Sequence, residues 1–576
     1  MKKQCVRKKM TAWLYVSLFS CLLSLIPAKL SSQEQSIQSI LDYTGGVSIT
    51  LDNSKDWNRI KNIDGVTIDH GATPDAIKLF VSKSAYYSIQ NLNIKFEVEA
   101  PSKSKITMKD FSEILTLKST GECLPVMDFY PTYEAYEAMM YRFEEDYPDL
   151  CQVLNLGTLS SGRKILALKM GDRLQDQEIE PVVLYTSTMH GDETAGYPLM
   201  LQLIDLLLCT YESDARARHI LDNTTLYINP LANPDGTYRG GNESIEGAIR
   251  NNSRFVDLNR NFPDPDDGPN PDGRPYQDET LIFMAFADSV EVDLACNMHG
   301  GAEVANYPWD TYEHLPADVR WWEHVCRDYA THVQENSEEG YFDGFDNGIT
   351  NGYDWYEVQG GRQDFMNYMH RTREFTLEYT NQKLLDSSRI PEIWQAHKEA
   401  LLGFIEMALT GLHGTITDCI SGAPVKAELF IPDHDVDNSS VFSTETTGSY
   451  YRYLEDGVYD FEVYAEGYDT VVFTSLVEKY SQVIKDIEIC PSGSTSTYDP
   501  VFDNVHVYHA EQKLVIENLE SQEARLTVFN TAGQVIIPTS KANNSIALPT
   551  NISSGVIFVR LESQNKMKTF TVVIAN

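Results

Sequence analysis

Two histidines and a glutamate stand where two apolar segments of the chain end. His190 directly follows PVVLYTSTM, Glu193 comes three residues later, and His299 directly follows VDLACNM. Near-continuous apolar runs of this length predict strands covered on both faces, and functional residues gather beyond the carboxyl ends of such strands. Two imidazoles and one carboxylate can hold zinc and leave a fourth position for water, whose pKa the metal lowers. A single His-x-x-Glu is more often structural, so the rest of the chain must supply the other parts of a site.

Two further segments carry charged side chains that suit such a site. RNNSRFVDLNRNFPD places three arginines between Arg250 and Arg260, and guanidinium clusters recognise carboxylates and oxyanions. REFTLEY predicts a strand with Glu374 and Glu378 on the same face. A carboxylate in a buried strand is costly unless it is paired or functional. Spacing alone does not choose between these two glutamates.

Seven short motifs in one order carry a family resemblance. They are HGDE at His190, NPDG at Asn233, DLNRNFPD at Asp257, HGG at His299, ANYPWD at Ala305, NGYDWYEVQGG at Asn351 and TLEY at Thr376. Together they resemble the zinc metallocarboxypeptidase family, and most of all its regulatory branch, the carboxypeptidase N, E, M and D type. The resemblance covers roughly Tyr130 to Gly411. It implies an α/β fold with a mixed, mainly parallel sheet and helices on both faces.

The resemblance assigns the catalytic roles. It implies that His190, Glu193 and His299 hold zinc. It also implies that Glu378 is the general base, which takes a proton from the attacking water and passes it to the leaving amine. Arg250 would stabilise the oxyanion that forms during the reaction.

The same resemblance assigns the substrate contacts. Asn259 and Arg260 would bind the free carboxylate of a peptide or protein C-terminus, and Tyr356 would close over the bound residue. The expected enzyme is therefore an exopeptidase. Asp310 and Gln363 would face the terminal side chain and select Lys or Arg, because an unpaired carboxylate is costly to bury.

Arg362 leaves the specificity open, since it would neutralise Asp310 if its guanidinium pointed into the pocket. Two other interpretations of the catalytic segment stand beside the leading one. A peptidoglycan or γ-glutamyl amidase could use the same fold, although Asp310 counts against it. An inactive binding scaffold would lack a ligand or the base, and this chain has all of them.

The elements expected around the site form one domain, residues 128–411. TYEAYEAMMYRFEEDYP predicts an amphipathic helix, and PEIWQAHKEALLGFIEMALTG predicts a last helix that ends at Gly411. Before this domain, residues 33–122 contain AIKLFVSKSAYYSIQNLNIKFEVEA, which predicts strand, short helix and strand. We expect a small α/β segment there that is similar to a pro-domain.

Two small β-sandwich domains are expected after the last helix. Residues 412–490 show short alternating runs and resemble a transthyretin-like domain through HGTITD and SGAPVKAEL. Residues 491–500, PSGSTSTYDP, have the composition of a linker. Residues 501–576 resemble the C-terminal sorting domain of type IX secretion, which implies that secretion machinery as a partner. Cys419 and Cys490 bracket the first sandwich and are predicted to form a disulfide.

The N-terminus and the overall charge predict where the protein acts. Residues 1–32 have a basic start, an apolar run and small residues, which is typical of a secretory signal peptide. After its removal we expect no membrane span, because no later apolar run is long enough. The net charge of -38 argues against nucleic acid as a partner. We therefore expect a protein that is secreted or on the cell surface, exported through the periplasm of a Gram-negative bacterium.

Overall fold

A computed structural model describes most of the chain. The described residues are 32–61, 63, 65–68, 77–99, 104–117, 123–174, 179–492, 505–510, 513–519, 524–530, 534–549, 555–563 and 566–574. The predicted signal peptide, apart from its last residue, and most of the predicted linker lie outside them. The chain divides into two compact units, Met1–Ile489 and Cys490–Asn576.

The first unit begins with a small α/β domain, here called the N-terminal domain (residues 32–99). Its four strands are β1 (Gly46–Leu51), β2 (Val66–Ile68), β3 (Lys78–Ser82) and β4 (Phe96–Val98), and its helices are Ser32–Thr44, Trp57–Ile60 and Lys83–Asn91. The strands form one antiparallel sheet in the order β2-β3-β1-β4. β2 is therefore an edge strand. The strand, helix and strand expected from the sequence are β3, the helix Lys83–Asn91 and β4.

A mixed eight-stranded sheet forms the centre of the catalytic domain. After a short parallel pair, β5 (Met108–Lys109) and β6 (Tyr130–Pro131), its strands are β7 (Cys151–Thr158), β8 (Lys164–Met170), β9 (Val182–Ser187), β10 (Thr225–Asn229), β11 (Leu294–His299), β12 (Val304–Tyr307), β13 (Ile349–Asn351) and β14 (Arg373–Glu378). The spatial order is β13-β12-β14-β11-β9-β10-β8-β7. The four central strands, from β14 to β10, are parallel.

Helices cover both faces of this sheet. The helices and helical turns of the domain are Phe111–Leu117, Tyr133–Asp146, Gly196–Thr210, Ala215–Leu221, Pro234–Thr237, Leu258–Arg260, Asp278–Ser289, Val319–Glu335, Gly344–Asn347, Gly352–Trp355, Arg362–Met369, Ser387–Arg389 and Ile390–Met407. Along β9, Leu184 belongs to one hydrophobic core and Tyr185 to the other. Because successive side chains of a strand point to opposite faces, this alternation needs an apolar cover on each side. The predicted α/β fold is confirmed.

The last helix ends earlier than expected. It stops at Met407, and Gly411 is instead the first residue of the next strand, with a φ of 92°. A left-handed φ is accessible to glycine because it has no Cβ. A Cβ at this position would also lie 2.6 Å from the carbonyl oxygen of Arg452. The glycine therefore marks the start of the following domain.

That domain is a β-sandwich. Its strands are β15 (Gly411–Asp418), β16 (Glu428–Phe430), β17 (Val441–Phe442), β18 (Ser449–Arg452), β19 (Gly457–Tyr464), β20 (Val471–Val477), β21 (Gln482–Ile484) and β22 (Ile487–Ile489). One sheet contains β18, β15, β21 and β22, and the other has the order β17-β16-β19-β20. Their inner faces share one core that includes Leu412, Leu429 and Phe461. Alternating apolar residues form this core, as the sequence pattern predicts.

A buried group of charges, here called the ion hub, joins the sandwich to the catalytic domain. Asp318 Oδ2 accepts hydrogen bonds from Arg373 Nη2 at 2.7 Å and Arg452 Nη1 at 2.8 Å. His434 Nε2 lies 2.9 Å from Asp318 Oδ1, and Arg452 Nη2 donates to Asp435 Oδ1 at 2.6 Å. Burial raises the pKa of Asp318, but the two guanidiniums outweigh it and hold this pKa well below its usual range. Since they already supply positive charge, the hub needs no metal ion.

The second unit contains another antiparallel sandwich. Its strands are β23 (His506–Ala510), β24 (Lys513–Glu517), β25 (Arg525–Asn530), β26 (Val535–Lys541), β27 (Ser545–Ala547), β28 (Gly555–Ser563) and β29 (Lys566–Ile574). They form the sheets β23-β24-β27 and β26-β25-β28-β29 around one core. Two β-sandwiches thus follow the α/β domain, as predicted.

The cysteines show one disulfide that the sequence does not predict. Cys123 pairs with Cys209 and so joins the segment before the catalytic domain to the helix Gly196–Thr210. Cys419 and Cys490 are both disulfide-bonded, which agrees with the predicted pair. Three buried cysteines are free thiols in the described part of the chain, Cys151, Cys296 and Cys326. Among the described residues, no helix is long and apolar enough to cross a membrane.

The ion hub predicts a large loss of stability when its carboxylate is removed. Asp318→Asn leaves two buried guanidiniums without a counter-charge, and we expect the free energy of unfolding to fall by about 3–5 kcal/mol. Because the folded-state pKa is depressed, the stabilisation is present above the unfolded pKa of about 4 and is lost as the pH falls through the folded-state value. Urea unfolding at pH 7, followed by tryptophan fluorescence, measures the change.

The matched control is an exposed ion pair between the same two domains. Lys426 Nζ lies 3.0 Å from Glu291 Oε1, and both side chains are about half exposed. Glu291→Gln should therefore change the free energy of unfolding by less than about 1 kcal/mol. Equal effects of the two substitutions would show that the hub does not secure the sandwich.

Candidate active site

Three neighbouring parallel strands bring the predicted residues together. His299 is the last residue of β11, Glu378 is the last residue of β14, and the two are direct partners across the strand pair. β9 lies on the other side of β11, and His190 follows it after two residues. Because the strands run in the same direction, their carboxyl ends meet at one edge of the sheet. All three side chains are buried.

The turn that carries the first ligands is packed against two other loops. A Cβ at Gly191 would lie 2.4 Å from the backbone carbon of Gly236, so the close approach of the two chains requires a glycine. The backbone N–H of Gly191 donates to the carbonyl oxygen of Arg250 at 3.1 Å. The turn is therefore held beside the segment that contains the arginines.

The three predicted ligands converge on one point. Glu193 Oε2 lies 2.8 Å from His190 Nδ1 and 2.9 Å from His299 Nδ1, and the two nitrogens are 3.0 Å apart. Tetrahedral bonds of about 2.0 Å to zinc place ligand atoms roughly 3.3 Å apart, which is close to these separations. Burial lowers the pKa of His299 to about 4, so its imidazole is neutral, the form that binds a metal. The three residues fit a zinc ion.

The far nitrogens of the two imidazoles have polar partners. His190 Nε2 lies 3.0 Å from Asp257 Oδ1, and His299 Nε2 lies 2.9 Å from the Asn297 amide. An imidazole that binds a metal through Nδ1 carries its proton on Nε2, and an acceptor there fixes the ring orientation. Asp257 is such an acceptor. Asn297 instead presents Nδ2 to His299 Nε2, and its Oδ1 accepts from Thr186 Oγ1 at 3.2 Å.

Two cations hold the second oxygen of the glutamate. Arg250 Nη1 donates to Glu193 Oε1 at 3.0 Å, and Lys383 Nζ lies 3.4 Å from the same atom. Arg250 Nε also donates to Asp257 Oδ2 at 3.0 Å. Burial raises the pKa of Asp257, but Arg250 and His190 outweigh it and keep this pKa well below its usual range. Oε1 is thus engaged by the protein, and Oε2 faces the histidines.

A small cavity connects the end of β14 with the predicted specificity residue. Glu378 and Asp310 both line it, together with Asn259, Tyr356 and Trp355. Four of the nine lining residues are ones that the sequence singled out, and the other five are Asn306, Gly352, Trp355, Val358 and Thr376. The structure therefore places the predicted base and the predicted side-chain selector in the lining of one cavity.

Asp310 has neutral hydrogen-bond donors around its carboxylate. Asn306 Nδ2 donates to Oδ1 at 3.1 Å and Gln363 Nε2 at 3.0 Å, so Gln363 lies where the sequence interpretation requires it. Burial raises the pKa of Asp310 to about 6. Asp364 accepts the backbone N–H groups of Asp310 and Thr311, which fixes this segment.

The structure settles the open question about Arg362. Its Nη2 donates to Glu374 Oε2 at 3.0 Å, and its Nη1 donates to Thr186 Oγ1 at 2.6 Å. Arg362 is therefore the partner of Glu374 and does not neutralise Asp310. The pairing also separates the two glutamates of β14, because Glu374 is engaged by a guanidinium and only Glu378 lines the cavity. Burial raises the pKa of Glu374 to about 7, against the effect of Arg362.

The remaining predicted residues lie at the entrance. Arg260 and Tyr356 border a larger outer cleft, and Tyr356 also borders the small cavity. Arg260 Nη1 donates to the carbonyl oxygen of Asn259 at 2.7 Å. Asn259 Oδ1 accepts a hydrogen bond from the backbone N–H of Arg362 at 2.9 Å. This bond connects the segment that contains Arg250 and Arg260 to the helix Arg362–Met369.

Comparison with known proteins identifies the family. The family model described as zinc carboxypeptidase matches residues 136–400. Mouse carboxypeptidase M is 31% identical over 385 residues, which cover 63% of this chain and 85% of the relative. The chain belongs to the zinc carboxypeptidase family. The catalytic chain of mouse carboxypeptidase N is likewise 31% identical over 408 residues, covering 64% of this chain and 88% of the relative.

A longer curated protein and a solved structure are also similar to this chain. Human carboxypeptidase D is 30% identical over 387 residues, which cover 62% of this chain but only 27% of that longer protein. Among solved structures, carboxypeptidase A from Helicoverpa armigera aligns with 64% of this chain and 98% of its own, at 19% identity and a TM-score of 0.49. The chain is a zinc-dependent metallocarboxypeptidase, a hydrolase.

Sequence reasoning missed several residues that shape this carboxypeptidase site, among them Asp257, Lys383 and Asp364. Asp257 was visible as the first residue of DLNRNFPD, but only the fold places it against His190. Lys383 and Asp364 carried no signal, because neither stands in a motif whose spacing predicts a ligand or a catalytic group. Their contacts depend on loops that are distant in sequence.

Asp257 predicts the strength of metal binding. In Asp257→Asn the acceptor for His190 Nε2 loses its charge, and Arg250 loses a buried partner. We expect zinc affinity to fall by roughly 10- to 100-fold, measured by competition with a chromogenic chelator. Asp278→Asn removes an exposed carboxylate that pairs with Arg254 at 2.8 Å, and it should leave the affinity unchanged. An unaltered affinity in Asp257→Asn would assign this carboxylate to packing alone.

Proposed function

We propose that this zinc carboxypeptidase removes single C-terminal Lys or Arg residues from peptides or proteins. The observation that carries the proposal is the cavity shared by Asp310 and Glu378. The cavity has a free volume of only about 10 Å³, so a terminal side chain has to displace part of its lining. That side chain then meets a buried carboxylate whose hydrogen-bond donors are the neutral amides of Asn306 and Gln363. A cationic side chain supplies a counter-charge that the hydrogen-bond partners of this carboxylate do not, whereas an apolar side chain supplies none.

The free carboxylate of the substrate would bind at the border between the cavity and the outer cleft. Asn259 and Arg260 are adjacent there, and Tyr356 stands between the two spaces. A guanidinium suits a terminal carboxylate through charge-assisted hydrogen bonds. Binding at this border would place the last peptide bond near Glu378 and explains why only one residue is released.

The catalytic steps follow from the groups around that bond. Bound zinc lowers the pKa of water and polarises the carbonyl group of the substrate. Glu378 would accept the proton of the attacking water and then donate it to the leaving amine. Arg250, which is fully buried beside Glu193, would stabilise the negative charge that develops on the carbonyl oxygen.

We also propose that the enzyme is exported. Support comes from the signal-like N-terminus and from the C-terminal segment that is similar to type IX sorting domains. The chain divides at Cys490, and every residue of the active site precedes this point. The first sandwich is proposed to be transthyretin-like. Fractionation of cells that carry the chain without residues 501–576 tests the sorting role, since normal export of that variant would contradict it.

The assignment of the base predicts how two glutamate variants differ. Glu378→Gln should retain zinc, because the ligand set is intact, while kcat/KM falls about 10³-fold. Metal analysis and hydrolysis of a blocked dipeptide ending in Arg measure both effects. Glu374→Gln is the matched control on the same strand, and it should keep most of its activity per folded molecule. Activity lost in Glu374→Gln and kept in Glu378→Gln would make Glu374 the base.

The preference for basic residues should depend on pH and on Asp310. Because burial raises its pKa to about 6, Asp310 is charged above pH 6 and becomes neutral below it. The ratio of kcat/KM for substrates ending in Arg and in Leu should therefore be high at pH 7.5 and decline towards pH 5. In Asp310→Asn we expect the ratio at pH 7.5 to fall by about 100-fold.

The control for net charge is the exposed Asp266, which lies in the loop after the arginine segment. Asp266→Asn should leave the ratio and its pH dependence unchanged. Faster hydrolysis of Leu-ending than of Arg-ending substrates by the wild type would contradict the proposed specificity.

A further inference from the structure

The N-terminal domain forms one wall of the outer cleft. Trp57, Lys61 and residues 65–68 line this wall, and Arg260 and Tyr356 line the opposite one. The cleft therefore continues from the border where the substrate carboxylate is proposed to bind. The part of a peptide that precedes its last residue has to leave the site, and this cleft is the space next to it.

The wall is firmly attached to the catalytic domain. The ring of Phe255 covers Gly45, where a Cβ would lie 2.0 Å from the ring. Tyr43 Oη donates to the carbonyl oxygen of Glu246 at 3.2 Å. The connecting segment is held as well, since the backbone N–H of Thr107 donates to Ser387 Oγ at 2.8 Å. Phe255 belongs to the same loop as Arg250 and Arg260, so the domain packs directly on the substrate-binding segment.

The wall includes the open edge of a sheet. Among the residues that the structure describes, β2 pairs only with β3, and Gly65 accepts a hydrogen bond from the backbone N–H of Ser82 on that side. In an antiparallel pair of strands, the backbone N–H and C=O groups of every second residue face the partner strand. Gly65 and Thr67 therefore face β3. The backbone N–H of Val66 donates to the carbonyl oxygen of Ile63 at 3.1 Å, so the open edge offers the carbonyl oxygen of Val66 and the backbone groups of Ile68. An extended peptide can add to such an edge as a further strand.

The chemistry of the wall suits an uncharged, extended chain. Its described lining residues include the apolar Trp57, Val66 and Ile68 and the basic Lys61, with no carboxylate among them. The carboxylates that line this cleft, Asp257, Asp272 and Glu357, belong to the catalytic domain. Within the described part of the N-terminal domain, nothing that lines the cleft has that charge.

We propose that this cleft binds the residues upstream of the scissile bond, with their main chain along β2 and an apolar side chain against Trp57. This inference rests on the proposed carboxypeptidase function and extends it to a substrate class. The preferred substrates are flexible C-terminal tails with apolar residues before the terminal one. The three residues of β2 span about 10 Å, which matches roughly three residues of an extended peptide.

A comparison of substrate lengths in the full-length enzyme tests the inference. The probes are a blocked dipeptide ending in Arg, a blocked pentapeptide with the same last two residues and Leu upstream, and that pentapeptide N-methylated at its upstream amides. We expect kcat/KM to be about 10-fold higher for the pentapeptide than for the dipeptide, mainly through KM, since about 1.4 kcal/mol of added binding gives this factor. N-methylation should remove most of the gain, because it removes the main-chain donors.

Variants of the wall then separate side-chain from main-chain binding. Trp57→Ala should reduce the gain from length at least threefold, and Trp57→Phe should retain most of it. Tyr87→Ala is the matched control, because this exposed aromatic residue belongs to the same domain but does not line the cleft. It should preserve the full gain.

The outcomes are distinct. Equal or lower kcat/KM for the pentapeptide in the wild type would overturn this inference alone and would assign the N-terminal domain to obstruction or packing. A gain that survives N-methylation and Trp57→Ala would also overturn it. No hydrolysis of any Arg-ending substrate would overturn the proposed function, and the inference with it.

Discussion

The carboxyl ends of three neighbouring parallel strands lie at one level, and the whole active site depends on this register. β11 pairs with β9 on one side and β14 on the other, so that His299 and Glu378 are direct neighbours and His190 follows close by. A shift of one residue in any strand would turn its functional side chain to the other face of the sheet. The two apolar cores on the two faces of the sheet oppose such a shift. A shifted strand would remove its apolar side chains from their core and place its polar side chains there.

Burial of charge is the second constraint, and it explains the pairing of side chains in the site. An ionised group in a low-dielectric interior needs a counter-charge or several hydrogen bonds. Arg250 has Asp257 and Glu193, and Arg362 has Glu374. Asp310 differs, because its closest partners are the neutral amides of Asn306 and Gln363. Because Arg362 pairs with the buried Glu374, it is not available to Asp310. Asp310 therefore remains a buried carboxylate that is suited to a cationic ligand.

Each flanking domain of the first unit contacts an element that carries site residues. The ion hub holds Arg373, the first residue of β14, whose last residue is Glu378. The N-terminal domain packs on Phe255, in the loop that carries Arg250 and Arg260. Both contacts join a flanking domain to an element that carries site residues. The sandwich thus helps to position β14, which carries Glu378. The N-terminal domain packs on the loop that carries Arg250 and Arg260, and it borders the outer cleft.

The sequence by itself determined the elements and most of the site. Apolar runs identify β9, β11 and β14, because strands buried on both faces must be apolar throughout. The residue types after those runs, with the family motifs, point to His190, Glu193, His299 and Glu378. Periodicity located the last helix but misplaced its end at Gly411, since a glycine can begin a strand as well as end a helix. Only the tertiary structure decided which charges face each other. Arg362 stands next to Gln363 in the chain, yet its guanidinium reaches Glu374, and Asp257 reaches His190 across 67 positions. Such contacts depend on the three-dimensional path of loops and on the cost of an unpaired buried charge, and local sequence patterns contain neither.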